Sequence, residues 1–371
     1  MTSVNQLTSP EYVQTSLAGA MALGLEPGRF YRDAYPGSLN LLLTYPDGCK
    51  ANCSYCGLAR ERSPVVEGQT FIRVKWPVYP LSQIAAILKQ QQEQPPRHKP
   101  FGRICISMIT HPRAEQDSIA VAKQLREAVS LPVSVLVSPT LIPDTIHYFS
   151  QLKAAGVDWV GIAVDAATPE IFAKFRGKQV RGPHQWSKYW GTVDHAVQVF
   201  GRGKVSIHLI VGLGETEQQM VDAIQTAVRR GAEAHLFSFC PEPGSALAHH
   251  EPPELGQYRR IQLAIYLLNH QIIAANAFQY NDRGQIIDYG RPITELLGED
   301  LAAGIPFMTS GCPDSTGCAA CNRPYGNERP GPVLRNYPVT PNSQDMALIR
   351  RQIFQGIKGA GGDNQADGTF R

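Results

Sequence analysis

Residues 48 to 58 read Gly48-Cys49-Lys50-Ala51-Asn52-Cys53-Ser54-Tyr55-Cys56-Gly57-Leu58, a stretch in which three cysteines follow a C-x3-C-x2-C spacing. The apolar run Leu39–Thr44 lies just before it and has the length and composition of a buried β-strand. Three thiols within eight residues supply a compact set of soft metal ligands. This stretch therefore predicts a metal site on the loop that ends a strand.

The number of thiols restricts the kind of site. A structural zinc ion takes four protein ligands, and a [4Fe–4S] cluster takes one ligand for each iron. Three cysteines leave either a ligand to be found elsewhere or one iron open to a small molecule, and a loop at the mouth of a barrel suits the open arrangement. A disulfide or a zinc knuckle is the alternative, and it is disfavoured because the next cysteine is as distant as Cys105.

Six short apolar segments, most of them separated by helical patterns, predict the fold. They are Leu39–Thr44, Ile104–Ile109, Val133–Val137, Val157–Val164, Val205–Val211 and Ala234–Phe239. Such alternation is typical of parallel strands joined by right-handed helical crossovers. We expect an α/β protein with a partial (βα)6 barrel of the TIM type, whose site lies on the loops after the carboxyl ends of the strands.

The domain organisation is predicted as a barrel with extensions at both ends. The expected regions are an N-terminal helical extension (1–37) with a helix over residues 10–25, the barrel core (38–250), a loop-rich C-terminal extension with a second cysteine cluster (251–358) and a disordered tail (359–371). Within the C-terminal extension we expect a hairpin and two helices. These are Phe278–Ile287, Glu254–Asn269 and Ser343–Gln355.

The composition is that of an ordinary soluble enzyme. Of 371 residues, 43% are hydrophobic and 18% charged, and the net charge of +3 is too small to indicate nucleic acid or a membrane surface as a partner. Neither a signal peptide nor an apolar run of about eighteen residues is found. Six of the eight cysteines lie in two tight clusters, which indicates metal binding in a reducing compartment, and the expected location is the cytoplasm.

The first cysteine cluster resembles that of the radical S-adenosylmethionine superfamily, in which an aromatic residue, here Tyr55, precedes the third cysteine. The resemblance implies that Cys49, Cys53 and Cys56 hold a [4Fe–4S] cluster whose open iron binds the amino and carboxylate groups of S-adenosylmethionine. It also implies reductive cleavage to a 5′-deoxyadenosyl radical, with an electron donor such as flavodoxin or ferredoxin.

Further cofactor contacts are expected on the loops after the fourth and fifth strands. The run from Gly212 through Gly214 to Glu215 resembles a Gly-Leu-Gly-Glu-Thr motif of biotin and lipoyl synthases, which implies a position beside the ribose and methionine parts of S-adenosylmethionine. Asp165 is a candidate acceptor for the ribose or the α-amino group, and Arg176 a candidate partner of the α-carboxylate. The Gly-Gly pair of that branch is missing after the second strand.

The second cluster has Cys312, Cys318 and Cys321 at a C-x5-C-x2-C spacing. A zinc knuckle remains open as an alternative, but a second iron–sulfur cluster, of the [4Fe–4S] type, fits better, with an oxygen ligand such as Ser310 or Ser315 in the fourth position. The two remaining cysteines are expected to be small buried residues rather than ligands. They are Cys105 and Cys240, of which the latter is a weak functional candidate.

The whole chain resembles the biotin synthase and lipoyl synthase branch, and its tail, residues 322–330 included, looks most like the two-protein lipoyl synthases. This implies sulfur insertion into an octanoyl chain on a protein lysine, with a second radical S-adenosylmethionine protein and a lipoyl-domain or carrier-protein substrate as partners. Tail residues that would position substrate or partner are Arg323, Tyr325, Asn327 and Arg329. The alternatives are a radical methylase, mutase or C–C bond-forming enzyme with an accessory cluster for electron transfer or substrate binding, and an iron–sulfur carrier. The sequence assigns no catalytic residue.

Overall fold

The computed structural model describes residues 7–63, 70–72, 74–96, 98–321 and 333–357. The amino-terminal part contains five short strands and one helix. They are β1 (Tyr12–Thr15), α1 (Leu17–Ala22), β2 (Ser38–Leu43), β3 (Thr70–Ile72), β4 (Val74–Lys75) and β5 (Val78–Pro80). Strands β3 and β4 pair with each other, apart from the main sheet.

The helix expected over residues 10–25 is partly wrong, because its first part is strand β1. This strand pairs antiparallel with β2 on one side and with β5 on the other. Val13 and Thr15 are buried on one face while Gln14 between them is less so, which is the two-residue period of a strand. The helix is confined to α1, where the Ser16 hydroxyl accepts a hydrogen bond from the Gly19 amide and caps it.

The central part alternates strands and helices as predicted. It runs through α2 (Leu81–Glu93), β6 (Arg103–Ser107), α3 (Ala114–Ala128), β7 (Val133–Val137), α4 (Thr145–Ala154), β8 (Trp159–Asp165), α5 (Pro169–Phe175), α6 (Trp186–Phe200), β9 (Val205–Val211), α7 (Glu217–Arg230) and β10 (Glu233–Ser238). Helix α5 was not predicted.

The strands form one eight-stranded sheet in the order β10-β9-β8-β7-β6-β2-β1-β5. Six of these strands are parallel and lie side by side in chain order: β2, β6, β7, β8, β9 and β10. Strand β1 pairs antiparallel with β2 on one side and with β5 on the other. This confirms the α/β partial barrel. Because all six parallel strands point the same way, their carboxyl ends lie together at one end of the barrel and their amino ends at the other.

The carboxyl-terminal extension packs on this barrel. It contains α8 (Leu255–Asn269), β11 (Gln279–Tyr280), β12 (Ile286–Asp288), α9 (Ile293–Ala302) and α10 (Ser343–Ile353). The predicted hairpin is confirmed as the antiparallel pair of β11 and β12, and the two predicted helices are confirmed as α8 and α10, while α9 was not predicted. Within the described ranges, no helix combines the length and the apolar character needed to cross a membrane.

A buried ion pair fastens the extension to the barrel. Arg260 on α8 donates from Nη2 to Oε1 of Glu217 on α7 over 2.6 Å, and both side chains are nearly inaccessible to solvent. Arg260 also donates to the carbonyl oxygen of Ile353 at the end of α10, over 2.6 Å. The other Glu217 oxygen accepts from the amide of Ile286 over 2.8 Å. One ion pair thus connects α7, α8, β12 and α10.

Removing one partner of this pair is expected to destabilise the protein strongly. Arg260→Met leaves the Glu217 carboxylate buried without its cation, and we expect the free energy of unfolding to fall by about 3–5 kcal/mol. The double variant Glu217→Gln with Arg260→Met removes both charges and should lose less than the sum of the single changes. Urea unfolding of the two single variants and the double variant measures these losses. A loss of about 1 kcal/mol or less for Arg260→Met would be typical of an exposed ion pair and would contradict a structural role for the buried pair.

Candidate functional site

The first cysteine cluster lies on the loop after β2, at the carboxyl end of the barrel. Two backbone hydrogen bonds fasten this loop to its neighbours: the Lys50 amide donates to the Thr110 carbonyl over 2.8 Å, and the Ser54 amide donates to the Phe175 carbonyl over 2.7 Å. The cluster cysteines line a cavity of about 200 Å³, whose other walls come mainly from the carboxyl ends of β6 to β10, with Arg176, His184 and Asn336. The loop is therefore fixed where a barrel of this type places its chemistry.

The thiols in this cavity are available as ligands. All eight cysteines lie in the described part of the chain, and none of them is in a disulfide. Backbone amides point at two of the sulfurs, from Ala51 to Cys49 Sγ and from Leu58 to Cys56 Sγ, each over 3.4 Å. Burial raises the pKa of Cys53 to about 12, so the thiol is protonated until a metal displaces the proton. The number and chemistry of these thiols fit an iron–sulfur cluster with one open iron, although the three side chains are not arranged around a common metal position in the structure.

Asp165 connects the cysteine loop to the barrel. The Tyr55 hydroxyl donates to Asp165 Oδ2 over 2.6 Å, and Arg176 Nη1 donates to the same oxygen over 2.7 Å. Asp165 is the last residue of β8 and has a φ of 65°, a left-handed backbone conformation that aspartate adopts more readily than most residues. The carboxylate is thereby turned toward the cavity that it lines.

Most hydrogen bonds that Arg176 donates go to other groups of the protein. Besides Asp165 it donates to the carbonyls of Ala163 and Val164 and, over 3.0 Å, to the Tyr189 hydroxyl. Its guanidinium carbon lies 4.6 Å from the centre of the Tyr189 ring. Its Nε is buried and has no hydrogen-bond partner among the described residues. The expected contact with a cofactor carboxylate stays a prediction, for which Nε is an available donor.

The loop after β9 is held by its own glutamate. Both Glu215 carboxylate oxygens accept from backbone amides, from Gly212 over 2.7 Å and from Leu213 over 2.9 Å. Gly212 and Gly214 have φ values of 105° and 104°, which favour glycine, and a Cβ on Gly212 would lie 2.6 Å from the Pro253 ring. None of the three predicted residues of this loop lines the cavity. Their contact with a cofactor stays a prediction, and in the structure they shape the loop.

The sequence interpretation missed a polar group on the cavity wall. His184 hydrogen-bonds through Nδ1 with the Thr140 hydroxyl and with the Tyr189 hydroxyl, the latter over 3.0 Å. Burial, together with the charge of Arg176, holds the pKa of His184 well below its usual range, so the ring is neutral. The one signal of this polar group in the sequence was the position of Thr140, which follows the carboxyl end of β7. Cys240, the weak candidate, also lines the cavity.

The second cysteine cluster lies at the opposite end of the barrel. Cys318 and Cys321 line a larger cavity, of about 870 Å³, whose walls include Trp159 and Glu233 at the amino ends of β8 and β10. Asn336 contributes to the lining of both cavities. Nowhere in the described ranges do three Cys, His, Asp or Glu side chains form a group able to hold a metal ion. Four residues that were expected to position a substrate or partner lie outside the described residues: Arg323, Tyr325, Asn327 and Arg329. The terminal segment 359–371, which was predicted to be disordered, lies outside them as well.

Comparison with known proteins matched residues 43–227 to the model of the Radical SAM superfamily. No curated protein matched the chain. The FeFe-hydrogenase maturase HydG from Carboxydothermus hydrogenoformans is a similar solved structure, with 16% sequence identity and a TM-score of 0.45 over 68% of this chain and 59% of that chain.

Two further solved structures are similar. The radical S-adenosylmethionine methyltransferase TsrM from Kitasatospora setae has 14% identity and a TM-score of 0.39 over 68% of this chain and 44% of its own. The coproporphyrinogen III oxidase HemN from Escherichia coli has 16% identity and a TM-score of 0.38 over 74% of this chain and 60% of its own. The chain thus spans between 44% and 60% of the length of these three structures.

The Asp165 contacts predict two different losses of stability. Asp165→Asn keeps the shape and the tolerance for a left-handed backbone but removes the charge opposite Arg176, and we expect a loss of about 3–5 kcal/mol in the free energy of unfolding. Tyr55→Phe removes one hydrogen bond to a carboxylate that keeps its cation, and should cost about 1–2 kcal/mol. Urea unfolding compares the two variants, and equal losses in the free energy of unfolding would show that the ion pair is not the dominant contact of Asp165.

Glu215 predicts a pH dependence of stability. Burial raises the pKa of Glu215 from 4.5 to about 7 in the folded protein. The folded state therefore holds a proton that the unfolded state has released, and stability is lost as the pH rises from about 4.5 through about 7. Relative to Glu215→Gln, the free energy of unfolding of the wild type should fall by about 3 kcal/mol across this pH window and should not fall further above pH 8.

Urea unfolding at pH 5, 6, 7 and 8 measures the effect of Glu215. The matched control is Glu251→Gln, which changes an exposed glutamate on the loop after β10. Parallel pH profiles for the wild type and Glu215→Gln would contradict the raised pKa.

Proposed function

Since residues 43–227 form a radical SAM superfamily domain, we propose that this chain is a sulfur-inserting radical S-adenosylmethionine enzyme. Cys49, Cys53 and Cys56 would hold the [4Fe–4S] cluster to which S-adenosylmethionine binds. When bound, the pair supplies a 5′-deoxyadenosyl radical that removes a hydrogen atom from an unactivated C–H bond. A second cluster on Cys312, Cys318 and Cys321 would supply the sulfur that enters at that carbon.

The observation that carries this proposal is the placement of two cysteine clusters at the two ends of one barrel. The first lines the cavity at the carboxyl end, and two cysteines of the second line the cavity at the amino end. Asn336 lines both cavities, and we propose that a substrate reaches past it, so that its reacting carbon has hydrogen abstraction on one side and a sulfur source on the other.

The side chains of the carboxyl-end cavity suit a chemically inert, apolar substrate. The walls are largely aliphatic and aromatic, with Met108, Leu136, Val137, Ile210 and Phe237 among them. Such walls exclude water and offer few polar hydrogens near a reactive carbon, while burying an alkyl chain at about 25 cal/mol for each Å² removed from water. This favours an octanoyl chain over a charged or strongly polar substrate.

Asn336, which lines both cavities, is held in place by helix α8. Its side-chain oxygen accepts from the Tyr258 hydroxyl over 3.1 Å and from Gln262 Nε2 over 3.3 Å, both on α8. The extension therefore fixes a polar amide at the point that a substrate would pass. We assign Asn336 the role of orienting the substrate between the two ends.

The partners of the reaction are part of the same proposal. The acceptor would be an octanoyl-lysine on a lipoyl domain or carrier protein, and the reductant a flavodoxin or ferredoxin. A second radical S-adenosylmethionine protein would share the two sulfur insertions, so that this chain is one half of a two-protein lipoyl synthase. The support for this arrangement is the tail resemblance.

The test is sulfur insertion by anaerobically reconstituted protein. Clusters built with ³⁴S-sulfide are supplied with S-adenosylmethionine, dithionite and an octanoyl-lysine peptide, alone and with a second radical protein of the same type, and products are read by mass spectrometry. We expect 5′-deoxyadenosine together with a peptide that has gained ³⁴S.

Two variants separate the roles of the clusters. Cys53→Ala should abolish both products, whereas Cys312→Ala should keep 5′-deoxyadenosine and lose the sulfur product. Deoxyadenosine from the wild type without any ³⁴S in the peptide would overturn sulfur insertion into this substrate. A methylated, rearranged or C–C coupled product would do so as well and would favour the alternative radical reactions.

A further inference from the structure

A recess of about 260 Å³ borders the first cysteine loop on the side away from the barrel core. Its walls come from that loop, from the segment 179–181 after α5 and from Ala246 on the loop after β10. Cys53 contributes to the lining of this recess and also to that of the carboxyl-end cavity. A partner seated in the recess would therefore contact a residue that is itself a predicted cluster ligand.

The recess is accessible from solvent. Glu61, Gln179 and Arg181 in its lining are exposed, and Arg181 keeps 77% of its side chain accessible. The other approach to the cysteines runs through the carboxyl-end cavity, which the proposed function assigns to S-adenosylmethionine and the substrate. The recess is therefore the approach that stays open to another folded protein during the reaction.

Positive charge predominates around the recess. Arg60, Lys178 and Arg181 are exposed, and the exposed carboxylate beside them is that of Glu61. Glu61 accepts from Arg181 Nη2 over 2.5 Å and lies 3.5 Å from Arg60 Nε, so two cations share it. Three cations against one carboxylate leave a local excess of two positive charges.

The other charged residues of the cysteine loop do not change this excess, because they lie in pairs of opposite charge. Arg62 lies 3.4 Å from the buried carboxylate of Glu242, and Lys50 donates to Asp47 over 2.6 Å. The whole chain has a net charge of only +3. An excess of two charges in so small an area is thus a property of this surface and not of the protein in general.

Side-chain hydrogen bonds hold the cationic segment 178–181 against the cysteine loop. Asn52 Nδ2 donates to the Val180 carbonyl over 2.8 Å, and Arg60 Nη2 donates to the Arg181 carbonyl over 2.8 Å. The cations are therefore presented at defined positions relative to the cysteines. A surface that is already formed loses less conformational entropy when a partner binds.

We propose that this surface, which consists of the recess with Arg60, Lys178 and Arg181, docks an acidic protein electron donor. Complementary charge steers such a donor to the surface and orients it there, so that its redox group lies beside Cys53. The inference rests on the first cluster of the proposed function, for which it locates the reductant. It is independent of sulfur insertion and of the second cysteine cluster.

The transfer at this surface is of a single electron. The donor is oxidised by one electron and the cluster on Cys49, Cys53 and Cys56 is reduced by one, without any bond being made or broken. The same electron then cleaves the bond between the sulfur and the 5′ carbon of S-adenosylmethionine, which leaves methionine and the 5′-deoxyadenosyl radical.

The first measurement is binding, which requires no turnover. Reconstituted wild type is titrated calorimetrically with flavodoxin, an acidic electron donor, at about 50 and about 300 mM NaCl. The surface variant, Lys178→Glu with Arg181→Asn, lowers the charge of the surface by three, and asparagine suits residue 181, whose φ is 54°. We expect about tenfold weaker binding of this variant at low salt and little difference at high salt, since salt screens exposed charges.

A matched control makes the same change of charge elsewhere. Lys89→Glu with Arg202→Asn also lowers the net charge by three, at exposed positions in the second half of α2 and shortly before β9. Arg202 lies at the amino end of the barrel, away from the recess. The control variant should therefore bind flavodoxin as the wild type does.

Formation of 5′-deoxyadenosine distinguishes docking from an effect on the cluster. With reduced flavodoxin as the electron source, the surface variant should be about tenfold slower than the wild type at low salt. Dithionite is a small reductant that requires no docking surface. With dithionite the two rates should agree within about twofold.

The outcomes separate the docking surface from the radical enzyme. Flavodoxin binding that is absent in the wild type, unchanged in the surface variant or equally weakened in the control would overturn the docking surface and leave the radical reaction intact. Equal slowing with flavodoxin and with dithionite would overturn it as well. If the wild type makes no 5′-deoxyadenosine with dithionite, the proposed function fails, and the binding titrations still decide the docking surface.

Discussion

The candidate site depends on the pairing of one buried cation with one carboxylate. Arg176 is enclosed by protein, and a guanidinium in that position is tolerated only if its charge is compensated. Asp165 compensates it and, through the same oxygen, holds Tyr55 of the cysteine loop. The positions of the cluster loop, of the end of β8 and of Tyr189 on α6 are therefore not independent. The geometry offered to a cluster and its ligand follows from this single pair.

The sequence was sufficient to predict the barrel and the position of the first cysteine loop in it. Each of the six parallel strands is a short apolar run bounded by polar or turn-forming residues, and parallel pairing in chain order follows from the helices between them. Strand β1 was missed because four residues with mixed polarity show no clear period, and the antiparallel neighbours β2 and β5 decide its conformation. The pairing of Asp165 with Arg176 and Tyr55 was missed because residues on three separate elements form it.

The second cysteine cluster shows more clearly that contacts between distant residues cannot be predicted from a local sequence pattern. Its spacing is visible in the sequence, but its position at the amino end of the barrel is not. That position is set by the hydrogen bond from Arg103 to the Pro313 carbonyl and by Gly37 and Gly102, which leave room for the loop.

The contact of Arg103 with Pro313 joins residues 210 positions apart, and this separation has a consequence for biosynthesis. At a synthesis rate of about 5–20 residues per second, the loop of the second cysteine cluster leaves the ribosome roughly 10–40 s after strand β6. During that interval Arg103 has Asp158 as its partner, so the barrel can form. The amino end of the barrel stays open until that loop arrives. A cluster held by Cys312, Cys318 and Cys321 would therefore be loaded only after all six parallel strands have left the ribosome, whereas the cysteines of the first loop leave it much earlier.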